Sequence, residues 1–307
     1  MTSPFGPLVL IANPKSGRGK VGQHLPEIER LLREQDIAHR IVVTTHPGHA
    51  TEAARQALEG GERFVVAAGG HGTVHEVVNG MLADDRPVAE GAVLGVVAAG
   101  SGCDFVKSFE LPGDTMQAAG RLSGDATVPI DVGKLAYAGE DGSTVIRYFP
   151  NIAEAGLGGA VCKRVTTLPR RLGPTQYFFG FWLVLPRFAP TRVRINADGQ
   201  TYEGRAVNVV VANGRFFGGG MQISPKSSSS DGLLDVLVMT GPKLDSFTTL
   251  PKVYKGTHLP HRNIVELRGR RIRVEADAPL QLEADGEPLG TTPATFDVLP
   301  TPLLLKV

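Results

Sequence analysis

Arg63-Phe64-Val65-Val66-Ala67-Ala68-Gly69-Gly70-His71-Gly72-Thr73-Val74-His75-Glu76-Val77-Val78-Asn79-Gly80 is the stretch on which the reading of the fold turns. Arg63 to Ala68 is a short, β-branched apolar run and predicts a buried parallel strand. The glycines after it let the backbone turn sharply and approach a ligand closely. A helix is predicted from Val74, with Thr73 as its cap. Such a helix start turns backbone N–H groups and the positive end of its dipole towards the loop, an arrangement that favours an anion such as a phosphate.

Outward from this segment, the chain from Pro7 to about Leu135 alternates strand-like and helical stretches, as parallel βαβ units do. Leu8 to Ala12 and His39 to Thr45 read as strands, Val21 to Gln35 and Gly48 to Leu58 as helices, and Val93 to Val97 as a further strand. Three strands end in small-residue turns, at Asn13 to Gly19, Gly69 to Gly72 and Ala99 to Gly102. In an open parallel sheet these turns share the carboxyl edge, where ligands bind. After about Asp131 the texture changes to strand-length runs such as Ala206 to Ala212 and Leu234 to Val238, with Asp198-Gly199 and Asp285-Gly286 as hairpin turns. This predicts an α/β N-terminal domain over 1–130 and a C-terminal antiparallel β-sandwich over 131–295; 296–307 is expected to return to the first, although pattern alone assigns it to neither. Helices are expected near Pro174 to Leu185 and Leu244 to Lys255, and two short strands within Pro293 to Val307.

Composition is that of an ordinary globular chain: 307 residues, 42% hydrophobic and 21% charged. A net charge of +1 argues against nucleic acid as a partner. With only Cys103 and Cys162, no disulfide framework is implied, and a reducing cytoplasm is the simplest compartment. The N-terminus lacks the charged and apolar pattern of a signal peptide, and the longest strongly apolar run, Tyr177 to Leu185, is too short to span a bilayer.

The loop Asn13-Pro14-Lys15-Ser16-Gly17-Arg18-Gly19-Lys20 combines glycines with three cations but lacks Walker spacing. Taken in order, Asn13 to Gly17, Gly69 to Thr73 with Glu76 to Gly80, Gly100 to Phe105, Asp131 to Gly133, Asp231 to Asp235 and Asp285 to Glu287 form a specific set. This set resembles the diacylglycerol and sphingosine kinase superfamily, in its bacterial-type soluble form, over nearly the whole chain.

The resemblance implies an ATP-dependent lipid kinase with a Rossmann-like, NAD-kinase-like nucleotide domain and a β-sandwich for the lipid. It implies nucleotide contacts by Asn13, Pro14, Lys15, Ser16, Thr44, Gly70, His71, Gly72, Thr73, Val74, His75, Glu76 and Ser101. Asp104 and Asp131 match acids that organise water around ATP-bound Mg²⁺, and Asp231 with the carbonyls of Ser228 and Leu233 matches a second, structural Mg²⁺ site. Asp285 and Glu287 match the pair that supplies the general base; spacing alone favours a plain hairpin turn at Asp285-Gly286, and the family context reverses that. A lipid alcohol met at a membrane surface by transient peripheral contact is the implied partner, and a homodimer the implied assembly.

His71 departs from the family pattern Gly-Gly-Asp-Gly-Thr. An imidazole lacks the charge and the two acceptor oxygens of the acid, so ATP binding is expected to survive and phosphoryl transfer to weaken. Ser101 and Cys103 replace Thr and Asn, and His75 is found in sphingosine-kinase-like members, so a long-chain base is an alternative acceptor. A catalytically weak nucleotide- or lipid-binding protein, or a kinase of NAD, are further alternatives. His46 and His49 lack a third ligand for a metal. Tyr177 to Trp182 reads as packing more readily than as a lipid groove, Phe216 to Gly220 as a flap or a structural loop, and Ser227 to Ser230 as a solvated loop.

Overall fold

The computed structural model describes residues 3–98, 103–169, 175–243 and 245–307, and the chain forms two compact units, 1–132 with 299–307, and 133–298. In the first unit the elements run β1 (Leu8–Ala12), α1 (Lys20–Glu34), β2 (His39–Val43), α2 (His49–Glu59), β3 (Phe64–Gly69) and α3 (His71–Met81). A two-stranded ribbon follows, β4 (Leu82–Ala83) with β5 (Arg86–Pro87). Then come β6 (Val93–Ala98), α4 (Asp104–Lys107), α5 (Thr115–Gly120) and the start of β7 (Thr127–Ala138).

β1, β3 and β6 are buried at every residue, as a sheet covered on both faces requires. The strands lie parallel in the order β2-β1-β3-β6. The register aligns Ala12 with Val43 and Ala68, and Gly69 with Ala98, so the loops that leave these strands emerge at one edge. The chain moves from β1 outward to β2 and then back across β1 to β3. That reversal makes the β1/β3 crevice the switch point of the sheet.

The second unit continues with β8 (Thr144–Phe149), β9 (Ile152–Gly156), α6 (Leu157–Val165), α7 (Thr175–Val184), β10 (Thr191–Ala197), β11 (Gln200–Ala206), β12 (Asn208–Ala212) and β13 (Leu234–Met239). It closes with α8 (Asp245–Tyr254), β14 (Ile264–Gly269), β15 (Arg271–Ala276), β16 (Gln281–Ala284), β17 (Glu287–Thr291) and β18 (Ala294–Lys306). One antiparallel sheet has the order β14-β13-β12-β9-β16-β17; the strands β11-β10-β15-β18 form the facing layer. Ala153, Ala155, Val209, Val211, Leu282 and Ala284 from the first layer pack with Val193, Ile195, Ile272, Val274 and Phe296 from the second. Period-two alternation therefore turns Glu154 and Glu283 to the opposite face of their sheet.

Three expectations need correction here. The C-terminal segment is one strand of 13 residues, β18, which begins in the second unit and ends in the first, where Leu304 and Leu305 pair with Val93 and Leu94. α3 starts at His71, with Gly70 in extended conformation as its N-cap, so Thr73 lies inside the first turn and caps nothing. The serines alternate: Ser227 and Ser229 are buried, where Ser227 bonds Ser224 and Asp235 and Ser229 bonds the Asn213 carbonyl, while Ser228 and Ser230 face solvent. The turn at Ala99 to Gly102, the segment Leu172 to Pro174 and Leu244 lie outside the described residues. Among the described residues no helix is long and apolar enough to cross a membrane.

Candidate active site

In the first unit the switch-point crevice is closed by backbone. Asn13 N–H donates to Ala68 O at 3.0 Å, which joins the loop after β1 to the strand before α3. The Asn13 side chain accepts from Lys15 N–H at 3.1 Å, and Gly17, Arg18 and Gly19 all take positive φ, so the loop winds tightly into α1. A Cβ on Gly69 would collide with the Thr73 side chain; only glycine lets α3 begin this close to β3. Around Gly70, by contrast, a Cβ would meet nothing within 4 Å, and no side chain of the N-cap residue caps α3. An uncapped helix start opening on clear space beside an exposed lysine fits a phosphate.

The other nucleotide-loop residues divide by burial. Pro14, Ser16, Gly70, His71 and Gly72 are half-buried at the loop, whereas Thr73, Val74 and His75 are buried within α3. Thr44 continues the β2 edge, its N–H donating to Ala12 O at 2.9 Å. Glu76 is occupied elsewhere: its carboxylate accepts from Gly48 N–H at 3.0 Å and Ala50 N–H at 3.1 Å, capping the start of α2. Ser101 lies outside the described residues.

His71 reaches a fully buried acid. Its Nε2 accepts from Asp104 N–H at 2.9 Å and lies 3.3 Å from Asp104 Oδ2, while Lys107 Nζ donates to Asp104 Oδ1 at 2.8 Å. Asp131, also fully buried, accepts Thr301 N–H at 2.8 Å. Both carboxylates are thus committed within the fold, and as arranged they do not fit coordination of Mg²⁺ or of its water shell. Asp231 is engaged by a cation of the protein: Arg268 Nη2 bonds Asp231 Oδ2, and Arg268 Nε lies 3.2 Å from Asp235 Oδ1. Leu233 contributes its N–H to Asp231 Oδ1 at 3.1 Å, and the Ser228 hydroxyl lies 3.4 Å from that of Ser230. Among the described residues no cluster of three or more His, Cys, Asp or Glu could hold a metal, and His46 and His49 stack on each other at 5.0 Å.

The second unit carries the acid pair. Asp285 and Gly286 take φ of 50° and 86°, as in a two-residue hairpin turn, and join β16 to β17. Asp285 is nonetheless buried: its Oδ1 accepts from Asn151 N–H at 3.2 Å and Ile152 N–H at 3.1 Å. Glu287 is exposed at the other side of the turn.

Two further carboxyls, not singled out from sequence, lie beneath this turn. Glu154 and Glu283 are direct cross-strand partners and are both buried. Glu154 Oε1 accepts from Asn208 Nδ2 at 2.7 Å, and Glu283 Oε2 accepts from Gly286 N–H at 2.7 Å. Burial pushes Glu154 up to about 7, against the pull of its hydrogen bonds to Asn208 and Glu283. Burial also holds Glu283 well above the usual carboxylate range, and the neighbouring Glu154 charge adds to it. Their sequence signal was an acid in the middle of each of two otherwise small or apolar strands, Ile152-Ala153-Glu154-Ala155 and Leu282-Glu283-Ala284.

α6 and α7 complete the surroundings. Cys162 Sγ donates to Gly286 O at 2.9 Å, and a Cβ on Gly286 would lie 3.3 Å from the Tyr177 hydroxyl. Burial raises both the Cys162 thiol and the Tyr177 hydroxyl, with the surrounding acids adding to the effect, so both stay neutral. The aromatic run is packing only in part. Gly180, Phe181 and Val184 face α6, but Phe178, Phe179, Trp182 and Leu183 are 62%, 45%, 37% and 41% exposed. Phe217, in contrast, packs beside Ile152 and Val210 and bridges to Met221, so that loop is structural.

Residues 7–135 match the diacylglycerol kinase catalytic domain, and residues 151–307 match the YegS C-terminal NAD kinase β-sandwich-like domain. The chain belongs to the diacylglycerol kinase family. A diacylglycerol kinase of Bacillus subtilis (strain 168) is 30% identical over 294 residues, covering 94% of this chain and 91% of that protein. One from Staphylococcus haemolyticus (strain JCSC1435) is 28% identical, covering 94% and 84%. In fold, the crystal structure of a diacylglycerol kinase from Bacillus anthracis str. Sterne is similar with a TM-score of 0.74 at 24% identity, over 99% of this chain and 97% of that one. Yeast NADH kinase in complex with NADH has a TM-score of 0.51 at 12% identity, over 97% and 82%, a likeness of fold alone. The family is one of lipid kinases, with an α/β domain followed by an antiparallel β-sandwich domain.

Proposed function

We propose that this chain transfers the γ-phosphoryl group of ATP to the hydroxyl of a lipid alcohol of the diacylglycerol class, with nucleotide held by the first unit and lipid by the second. The observation that carries the lipid reading is the exposed aromatic face of α7, whose first turn places Tyr177 against the Asp285-Gly286 turn. A kinase of a soluble acceptor has no use for apolar surface beside its base. Arg164 and Arg187, both exposed, lie with Leu183 around a cavity of about 580 Å³ on the same helical pair. Aromatic side chains flanked by cations suit an anionic bilayer, so the proposed contact with the membrane is peripheral and reversible.

In the reaction, the lipid oxygen attacks the γ-phosphorus, the bond to the β-phosphate oxygen breaks, and ADP leaves. The hydroxyl proton passes to Asp285 or Glu287. Lys15, the loop amides and the start of α3 hold the phosphates. His71 keeps an acceptor on Asp104 N–H, as an acid would, but brings no negative charge. That supports a fold-competent loop with weakened transfer, and a nucleotide-binding protein of low activity is the second reading.

The test is transfer of label from ATP to a panel of diacylglycerol, long-chain base and NAD, by this chain and by His71→Asp in parallel. Transfer to diacylglycerol is expected, rising about ten-fold or more in His71→Asp. Equal turnover of the two proteins would remove the impairment, and transfer to NAD in place of any lipid would overturn the lipid reading.

A further inference from the structure

Two carboxyls have no place in the reaction as written, yet the fold encloses them together. Register sets Glu154 of β9 directly opposite Glu283 of β16, on the face turned away from the sandwich core. α6 lies across that face because its second and third residues, Gly158 and Gly159, are glycines. A Cβ on Gly158 would collide with the Glu154 carboxyl, and one on Gly159 with the Gln281 carbonyl. The lid so formed keeps water from either acid.

Two carboxylates opposite one another in such a place cannot both be charged; sharing one proton leaves a single delocalised charge. The donors present match that state: Asn208 Nδ2 to Glu154, Gly286 N–H to Glu283, and a hydrogen bond between the two carboxyls. The other titratable groups facing the pair are Asp285 and Glu287 from the turn, Cys162 from α6 and Tyr177 from α7. The last two are neutral, so no cation in this set could balance a second charge.

We propose that Glu154 and Glu283 form a one-proton carboxyl pair that positions the Asp285-Gly286-Glu287 turn, through the Gly286 N–H, for its work as base. Glu283 touches the turn directly and Glu154 acts through Glu283; neither is a catalytic residue. Loss of the shared proton puts two like charges under a turn that already carries two acids. The turn then moves, and turnover falls at high pH. The inference rests on the lipid-kinase reading only for its kinetic readout.

The experiment uses the whole chain with Glu154→Gln, Glu154→Leu and the double variant Glu154→Gln/Glu283→Gln. A glutamine amide at 154 can donate permanently where the proton was shared and can still accept from Asn208. Glu154→Gln is therefore expected to keep kcat within about three-fold and to carry the high-pH limb upward by about one unit or more. Glu154→Leu leaves Glu283 buried without its partner, and kcat is expected to fall about ten-fold or more with KM for ATP unchanged. A purely structural role would lower the folded fraction and leave kcat per folded molecule and the pH limb as they are in the wild type; that result overturns the proposal.

If the wild type phosphorylates no lipid on the panel, the lipid-kinase reading fails by itself, and the pair is read without activity. Infrared spectra at about pH 7 should show a protonated carboxyl band in the wild-type chain that is lost in the double variant. Its absence from the wild type overturns the pair.

Discussion

Two hairpins of the second unit are built alike, Asp198-Gly199-Gln200 and Asp285-Gly286-Glu287. The central residues take nearly the same positive φ, 49° and 92° in the first and 50° and 86° in the second. Each aspartate also accepts from two consecutive backbone amides: Arg270 and Arg271 at 2.6 and 3.1 Å, and Asn151 and Ile152 at 3.2 and 3.1 Å. The turn and its carboxylate clamp are therefore structural equipment, and neither distinguishes a base. The difference lies around them: Asp198 is exposed, while Asp285 is buried above the Glu154–Glu283 pair and beside α7.

The sharpest way to break this contrast is to remove charge and keep the clamp. At Asp285 both amides bond Oδ1, which asparagine retains without being able to take a proton; at Asp198 they bond different oxygens, so asparagine keeps only one of the two. Asp285→Asn or Glu287→Gln, whichever acid is the base, should cost about 10²- to 10⁴-fold in lipid phosphorylation, and Asp198→Asn should cost nothing measurable. Steady-state rates for the three variants decide it. If all three match the wild type, the second turn is no more than the first.

α7 gives the next test, since only the Asp285 turn has it as a neighbour. Phe178→Ala with Trp182→Ala removes two exposed rings, of which Trp182 also lies edge-on against Phe181. Binding to anionic vesicles should weaken by about 10- to 100-fold, measured on protein whose melting curve shows it folded. Co-sedimentation equal to the wild type would take α7 out of membrane contact.

The pair beneath the turn should also make stability depend on pH. In the unfolded chain a glutamate ionises near 4.5, whereas burial holds Glu154 protonated up to about 7. The stabilisation present below about pH 4.5 is therefore lost as pH rises through about 7, and the melting temperature should fall over that window. Glu154→Gln should flatten the fall. A profile as steep as that of the wild type would place the titration elsewhere.

How much of this was legible in sequence follows from which forces are local. β1, β3 and β6 announce themselves because a strand covered on both faces must be apolar at every residue. α3 begins earlier than predicted because Gly69, Gly70 and Gly72 read as loop, although Gly69 ends β3, Gly70 is the N-cap and Gly72 is already helical. The C-terminal strand read as two because Pro300 and Pro302 look like breaks; Asp131 instead holds the Thr301 N–H between them, and pairing continues beyond. α7 is apolar around its whole circumference, so periodicity could not say which face would be left exposed. The Glu154–Glu283 pair joins residues far apart in the chain, and a register that sets one acid opposite another is visible only once the strands are paired.

The smallest effect tests the clamp itself. Asp198→Ala removes the acceptor from Arg270 and Arg271 N–H at an exposed turn, where water replaces it, so the loss should be about 1 kcal/mol, a shift of about 2 °C in melting temperature. Asp285→Ala strands the Asn151 and Ile152 amides in a buried site, where each unsatisfied donor costs about 1–3 kcal/mol. Thermal melts of the two alanine variants should therefore differ in the same sense as the burial of their aspartates. Equal shifts would mean that the Asn151 and Ile152 amides find other acceptors, and that contacts such as those of Glu283, Cys162 and the Asp285 N–H suffice to hold the buried turn.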